Sequence, residues 1–147
     1  MKESIVQTLF SKVIEKDRNA AYELKIEKGK SMPFNKVAEH QLEALKRVKT
    51  TGLFYKLTDM PHFAGMKARF DRKKGFDCLT IKGEAYIGIC FYEPRKPKEV
   101  ILIDVDKFIE VRQILADMDK PRKSLTKDMA VEISERVIKL STVRLLY

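Results

Sequence analysis

A change of hydrophobic period near residue 17 constrains this chain more than any other feature. Ile5, Val6, Leu9, Phe10, Val13 and Ile14 recur at three-four spacing, which predicts a helix over residues 3–16 with one buried stripe. Lys16-Asp17-Arg18-Asn19 breaks that pattern, and Ala21-Tyr22-Glu23-Leu24-Lys25-Ile26-Glu27 then alternates, predicting a strand over 20–27. Successive strand side chains point to opposite faces, so Glu23, Lys25 and Glu27 share one face while Tyr22, Leu24 and Ile26 share the other. A carboxylate and an ammonium two residues apart on one strand make a compact site. The carboxylate can hold a divalent cation, and the lysine can position a water beside a phosphate. E-x-K on its own more often marks the solvated face of an amphipathic strand, so the residues around it decide.

Downstream, Gly29 to Pro33 reads as a turn, with Asn35 as N-cap of a second helix over 36–49. Val37, Ala38, Leu42, Leu45 and Val48 form its inward side, and Gln41 falls among them. Burying an amide without partners costs a few kcal/mol, so a glutamine there should answer a polar group unless it sits half in water at the boundary. His40, on the flank of the stripe, reads as a surface or boundary residue. Leu53 to Leu57 is a short strand, and 58–74 a basic loop too long to be a mere connection. Phe76–Ile81 and Ala85–Tyr92 read as strands joined in a hairpin at Lys82-Gly83-Glu84. A strand over Glu99–Val105 and a helix over 105–116 follow. The last helix begins near Ser124–Thr126, with Met129, Ala130, Ile133, Val137 and Ile138 on one face. This order predicts a single α/β domain over 1–147, a mixed central sheet flanked by helices.

The 147 residues suit one domain with a real core, and 44% apolar residues exclude a disordered tail. No apolar run is long enough for a bilayer, so no membrane partner is expected, and Met-Lys-Glu-Ser carries no signal-peptide pattern. Cys78 and Cys90 lie in apolar strand-like runs, which disfavours a disulfide framework and suits a cytoplasmic location. With His40 and His62 they lack the spacing of a structural zinc site. Thirty basic against twenty-one acidic residues give a net charge of +9, which favours a polyanionic partner such as nucleic acid. The charge is clustered: Lys67, Arg69, Arg72, Lys73 and Lys74 form one group, Arg95, Lys96 and Lys98 a second, and Lys120, Arg122, Lys123 and Lys127 a third. Of these, Lys67, Arg69, Arg72, Lys73, Lys74, Arg122 and Lys123 are the candidate DNA contacts.

One glutamate holds Mg²⁺ poorly, because the ion takes one or two carboxylates together with substrate phosphate. Asp77 is the strongest candidate for a second acid. It opens an apolar strand, where aspartate is otherwise unfavourable, and it follows the densest basic run. A turn aspartate at a strand start is the plain alternative. Glu3 and Glu15 on the first helix are weaker candidates.

Tyr22-Glu23-Leu24-Lys25, Met32-Pro33-Phe34 and Glu39-His40-Gln41-Leu42-Glu43-Ala44-Leu45 together resemble the core of the RecU-type Holliday junction resolvases of the PD-(D/E)XK nuclease superfamily. Those enzymes carry a strand E-x-K, a Pro-aromatic or Pro-Leu turn and a helix containing His-Gln. Val100–Phe108 followed by Arg122-Lys123-Ser124-Leu125-Thr126-Lys127-Asp128 is similar to a later strand, short helix and R-K-S segment. The resemblance spans most of the chain, but only Glu23–Leu45 is dense in motifs. It implies a restriction-endonuclease-like core, Mg²⁺ or Mn²⁺ on Glu23 and Asp77, Lys25 activating a water, Gln41 fixing the water or the lysine, and a homodimer nicking four-way DNA junctions to leave 5′-phosphates. The chain departs from the family in one respect. The aspartate-bearing strand that should precede E-x-K has no room after the first helix, so the expectation is a rewired sheet in which Asp77 runs back beside Glu23. Two other functions fit the same residues: a flap or general structure-specific DNA endonuclease, and a basic DNA-binding protein whose acids are structural.

Overall fold

A four-stranded sheet runs through the molecule, and each of its faces is covered by different helices. The computed structural model describes residues 3–14, 19–56 and 78–140. In chain order the elements are α1 (Glu3–Val13), β1 (Ala20–Glu27), β2 (Ser31–Pro33), α2 (Glu39–Thr50), β3 (Leu53–Lys56), β4 (Cys78–Ile81) and β5 (Glu84–Phe91). They continue with β6 (Lys98–Asp104), α3 (Val105–Ala116), β7 (Ser124–Thr126), α4 (Lys127–Glu132) and β8 (Arg136–Leu140). The main sheet has the order β1-β5-β6-β8, with β1 parallel to β5 and the other two pairings antiparallel. This is the expected mixed sheet between helices. No helix among the described residues is long and apolar enough to cross a membrane.

Central β5 explains the layering. From Ala85 to Phe91 every residue is buried, as a strand covered on both faces requires. Ala85, Ile87, Ile89 and Phe91 point to one face and pack with Leu42, Leu45 and Val48 of α2, Phe108 and Leu115 of α3, and Ala130 of α4. Tyr86 and Cys90 point to the other, beneath Val6 and Phe10 of α1. Gly88 lies opposite Leu24, and a Cβ there would come within 2.5 Å of the Leu24 side chain, so glycine lets β1 pack its leucine over β5. The Cys90 thiol is free, and its burial pushes its pKa up.

Four expectations require correction. Gly29 to Pro33 is only partly a turn, because Ser31–Pro33 forms β2 and pairs antiparallel with β7. Asn35 is not a helix cap. Phe34–Lys36 is a single 3₁₀ turn that drops Phe34 onto Phe108, edge to face with ring centroids 5.5 Å apart, and α2 begins only after Ala38. The hairpin at Lys82-Gly83-Glu84 does not form. β4 pairs with β3, while β5 goes to β1 and β6 because its apolar run satisfies only a central position. The chain turns this corner under Asn19, whose Nδ2 donates to the carbonyls of Ile81 (3.1 Å) and Lys82 (2.9 Å). The final helix is two elements. α4 ends at Glu132, and the Glu135 N–H bonds the Leu102 carbonyl at 3.0 Å, starting β8, in which Val137 is exposed and Ile138 buried. Val137 and Ile138 continue the helical spacing from Ile133, but sheet pairing overrides it.

Candidate active site

The site grows from two local decisions. Alternation in β1 puts Glu23 and Lys25 on the α2 face, opposite Ile87 and Ile89 of β5, so the polar pair is bordered by buried aliphatic side chains. Both are held half-buried: Lys25 is 14% and Glu23 26% exposed, and Lys25 Nζ lies 2.9 Å from Glu23 Oε1. Such surroundings strengthen the attraction relative to open water.

The second decision is the start of α2. Its N-cap, Ala38, has no side-chain oxygen, so the usual reciprocal capping box cannot form. Gln41 supplies the missing half: its Oε1 accepts from the Ala38 N–H at 3.1 Å. Its Nε2 then points to β1 and donates to Glu23 Oε1 at 2.8 Å. The amide orientation follows from this pairing, since the reversed amide would set donor against donor at Ala38 and oxygen against oxygen at Glu23. The glutamine expected to answer a polar group does so, across 18 residues of sequence. Its second role, as a helix cap, was hidden because Asn35 offered a more conventional one.

Both contacts to Glu23 fall on Oε1. Oε2 has no hydrogen-bond or ion-pair partner among the described residues. Glu23 therefore keeps one carboxylate oxygen for a cation without surrendering Lys25 or Gln41, the minimum that Mg²⁺ asks of a protein when waters and substrate phosphate complete its shell. No group of three His, Cys, Asp or Glu residues suited to a metal occurs among the described residues. The residues present fit as one half of a metal site.

Asp77 lies outside the described residues, as do Glu15 and the basic residues Lys67, Arg69, Arg72, Lys73 and Lys74. The described end of their segment, β4, pairs with β3 and not with β1. The expected run alongside Glu23 is therefore not made by Cys78–Ile81. Glu3 opens α1, and α1 packs against the opposite face of the sheet through Val6 and Phe10, so that helix is not brought to Glu23. Arg122 and Lys123 are exposed on the segment leading into β7, where the Lys123 carbonyl accepts from the Phe34 N–H at 3.0 Å. His40 is exposed.

Two polar groupings had no sequence signal of their own. Lys36 reaches back to the end of β1, donating to the Ile26 carbonyl and pairing with Glu27 Oε2 at 2.9 Å. That hydrogen bond, aided by the Lys36 charge, holds the Glu27 carboxyl below its ordinary pKa despite partial burial. Lys49 of α2 pairs with Asp104, at 2.8 Å, and with Asp106 at the start of α3. These contacts raise its pKa against the opposing effect of desolvation and brace α2 above the site. No family model, curated protein or solved structure matches the chain.

Proposed function

We propose that this protein is a metal-dependent endonuclease that nicks branched DNA, a Holliday junction resolvase with a PD-(D/E)XK-type core. One observation carries the reading: the Lys25 ammonium and the Gln41 amide converge on one oxygen of the Glu23 carboxylate at the α2 face of β1, and the second oxygen has no partner among the described residues. An ion pair serving stability alone gains little from a third, geometrically demanding partner. A carboxylate that must present one oxygen in a fixed direction gains much.

In this reading Glu23 and Asp77 would hold Mg²⁺ or Mn²⁺, and the ion would supply Lewis acidity and lower the pKa of a water. Glu23 is oriented by Gln41. Lys25 sits beside the carboxylate and would stabilise negative charge building on the phosphate during cleavage. The basic residues Lys67, Arg69, Arg72, Lys73, Lys74, Arg122 and Lys123 contact backbone phosphates and position the DNA without reading bases. A four-way junction is approximately two-fold symmetric and needs two nicks, so the working form is a symmetric homodimer in the cytoplasm of a bacterial, archaeal or phage-infected cell.

The test is direct. Labelled four-way junction, linear duplex, flap and single strand are incubated with the protein and Mg²⁺, with and without chelator. Paired nicks at the branch point, abolished by chelator, are expected; cleavage of flaps in preference to junctions would move the substrate while keeping the chemistry. Tight DNA binding with no metal-dependent nicking would favour the DNA-binding alternative.

A further inference from the structure

Beside the Glu23 site, and unused by it, lies a groove of about 650 Å³ between the β2–α2 connection, α3 and the segment before β7. Its walls combine apolar and charged surface, the Glu39 carboxylate included. Pro33, Val37, Ala38 and Ala116 give it apolar surface, and Arg112, Arg122 and Lys123 place cations along its margin. Arg112 is already committed, with its Nη1 2.6 Å from Glu39 Oε1. Arg122 and Lys123 have no ion-pair partner among the described residues. The backbone beneath them is pinned, because the Arg122 N–H bonds the Leu115 carbonyl at 2.9 Å and the Lys123 carbonyl accepts from Phe34. Two positive charges without an ion-pair partner among the described residues therefore stand over an apolar trough large enough for a small ligand.

The groove is coupled to the catalytic constellation through one residue. Ala38 lines the trough, its N–H is held by Gln41, and Gln41 holds Glu23. Whatever occupies the trough lies against the start of the same helix that orients the carboxylate.

We propose that this groove takes a single unstacked nucleotide of the DNA substrate, with its base against Pro33, Ala38 and Ala116 and its phosphate on Arg122 and Lys123. The inference rests on the nucleic-acid reading above and deepens it by assigning a substrate subsite. Charge complementarity selects the occupant: a neutral apolar ligand leaves the two cations unused, and a bare anion leaves the trough unused. A nucleotide uses both. Branch points supply such nucleotides at low cost, because bases there are the easiest to unstack.

The test is a binding measurement in chelator, so that it does not depend on cleavage. Chemical-shift perturbation and titration calorimetry are run on the full chain with dAMP, deoxyadenosine, inorganic phosphate and a short single-stranded oligonucleotide. We expect dAMP to perturb Val37, Ala38, Ala116 and Arg122 resonances and to bind more tightly than either deoxyadenosine or phosphate. Ala116→Trp fills the trough from an exposed helix position, and Arg122→Ala with Lys123→Ala removes the charge. Each should weaken oligonucleotide binding about 10-fold, the scale of one lost stacked base. Phosphate binding as well as dAMP, with Ala116→Trp unchanged, would reduce the groove to an anion contact and overturn the proposal. So would perturbations confined to residues elsewhere. If junction nicking fails while dAMP still fills the groove, only the nuclease reading is lost; if nicking proceeds and Ala116→Trp binds and cleaves like the parent, only the groove assignment is lost.

Discussion

The two faces of β1 are built from alternating residues of the same eight-residue strand and obey opposite rules. Towards α1, Tyr22 stands edge-on to Phe10 with ring centroids 5.1 Å apart and stacks on Tyr86 at 5.7 Å, while Leu24 fills the space over Gly88. That face is closed by shape. Towards α2, Glu23, Lys25 and Glu27 occupy equivalent positions, and each is met by a named polar partner. A protein that needed only a stable edge strand could have left these residues in solvent or replaced them with aliphatic ones. Instead α2 gives up a conventional cap so that its third residue can reach the strand. Packing on one face frees the other to hold paired charges, a division of labour that the proposed carboxylate site would use.

The largest expected effect breaks the polar face without touching the apolar one. Glu23→Gln keeps the side chain's shape, and Gln41 can still find an oxygen to bond. The variant should fold normally and bind junction DNA at least as tightly as the parent, with one negative charge removed, yet lose metal-dependent nicking altogether. Lys25→Ala should reduce the nicking rate by about 10²–10³-fold, the scale of losing one electrostatic stabiliser of the transition state. Single-turnover rates at saturating protein, with gel-shift affinities alongside, check both. A Glu23→Gln protein that nicks at the parental rate would reduce the pair to a surface ion pair.

The converse experiment breaks the apolar face. Phe10→Ala removes a buried ring, 4% exposed, that packs against Tyr22 on the far side of the sheet. A loss of about 3–5 kcal/mol in urea unfolding is expected, with nicking per folded molecule unchanged at low temperature. If activity fell as far as stability, the faces would not be independent and the comparison above would fail.

This asymmetry also explains what could be seen from the sequence. β1 and α3 were legible to their boundaries, because eight alternating residues and a helix capped by Asp104 carry their own local signals. The β4–β5 hairpin misled because Lys82-Gly83-Glu84 is good turn chemistry between two apolar runs. Only the need of a fully buried β5 for two neighbours shows that the turn hands the chain from one sheet to another. The short β2–β7 ribbon had no periodicity to read at three residues per strand. Glu23 and Lys25 were identifiable as sharing one face of the strand, and Gln41 as a residue that should answer a polar group or else sit half in water. That Gln41 spends one end of its amide on a helix cap was not, since a cap by a side chain three residues into the helix leaves no mark at the N-cap position itself.

Gln41 joins the two tasks, and its variants separate them. Gln41→Ala should lose about 1 kcal/mol of stability with the cap and about 10- to 100-fold in nicking with the carboxylate's support. Gln41→Glu keeps an acceptor for the Ala38 N–H but sets a negative charge against Glu23. At neutral pH the retained cap should be offset in part by that repulsion, and nicking should stay low. If stability and activity instead rise and fall together in both variants, Gln41 is a cap alone.

The smallest effect lies at the end of β1, where polar face and strand terminus meet. Lys36 holds the Glu27 carboxyl below its ordinary pKa of 4.5 through a hydrogen bond, with its charge adding to the effect. A group whose pKa is depressed by folding adds stability above its unfolded value, and that stability is lost as pH falls through the folded one. The pair should therefore stabilise the protein at pH 7 and cease to do so once Glu27 is protonated in both states. Because Lys36 is 37% exposed, the gain is expected to stay below about 1 kcal/mol. Lys36→Met retains the stem but removes the charge, so its urea midpoint should fall slightly below the parent's at pH 7 and the gap should narrow progressively below pH 4.5. A gap that stayed constant through acid would assign the contribution of Lys36 to its hydrogen bond with the Ile26 carbonyl, a fixed brace on the strand end and not an electrostatic one.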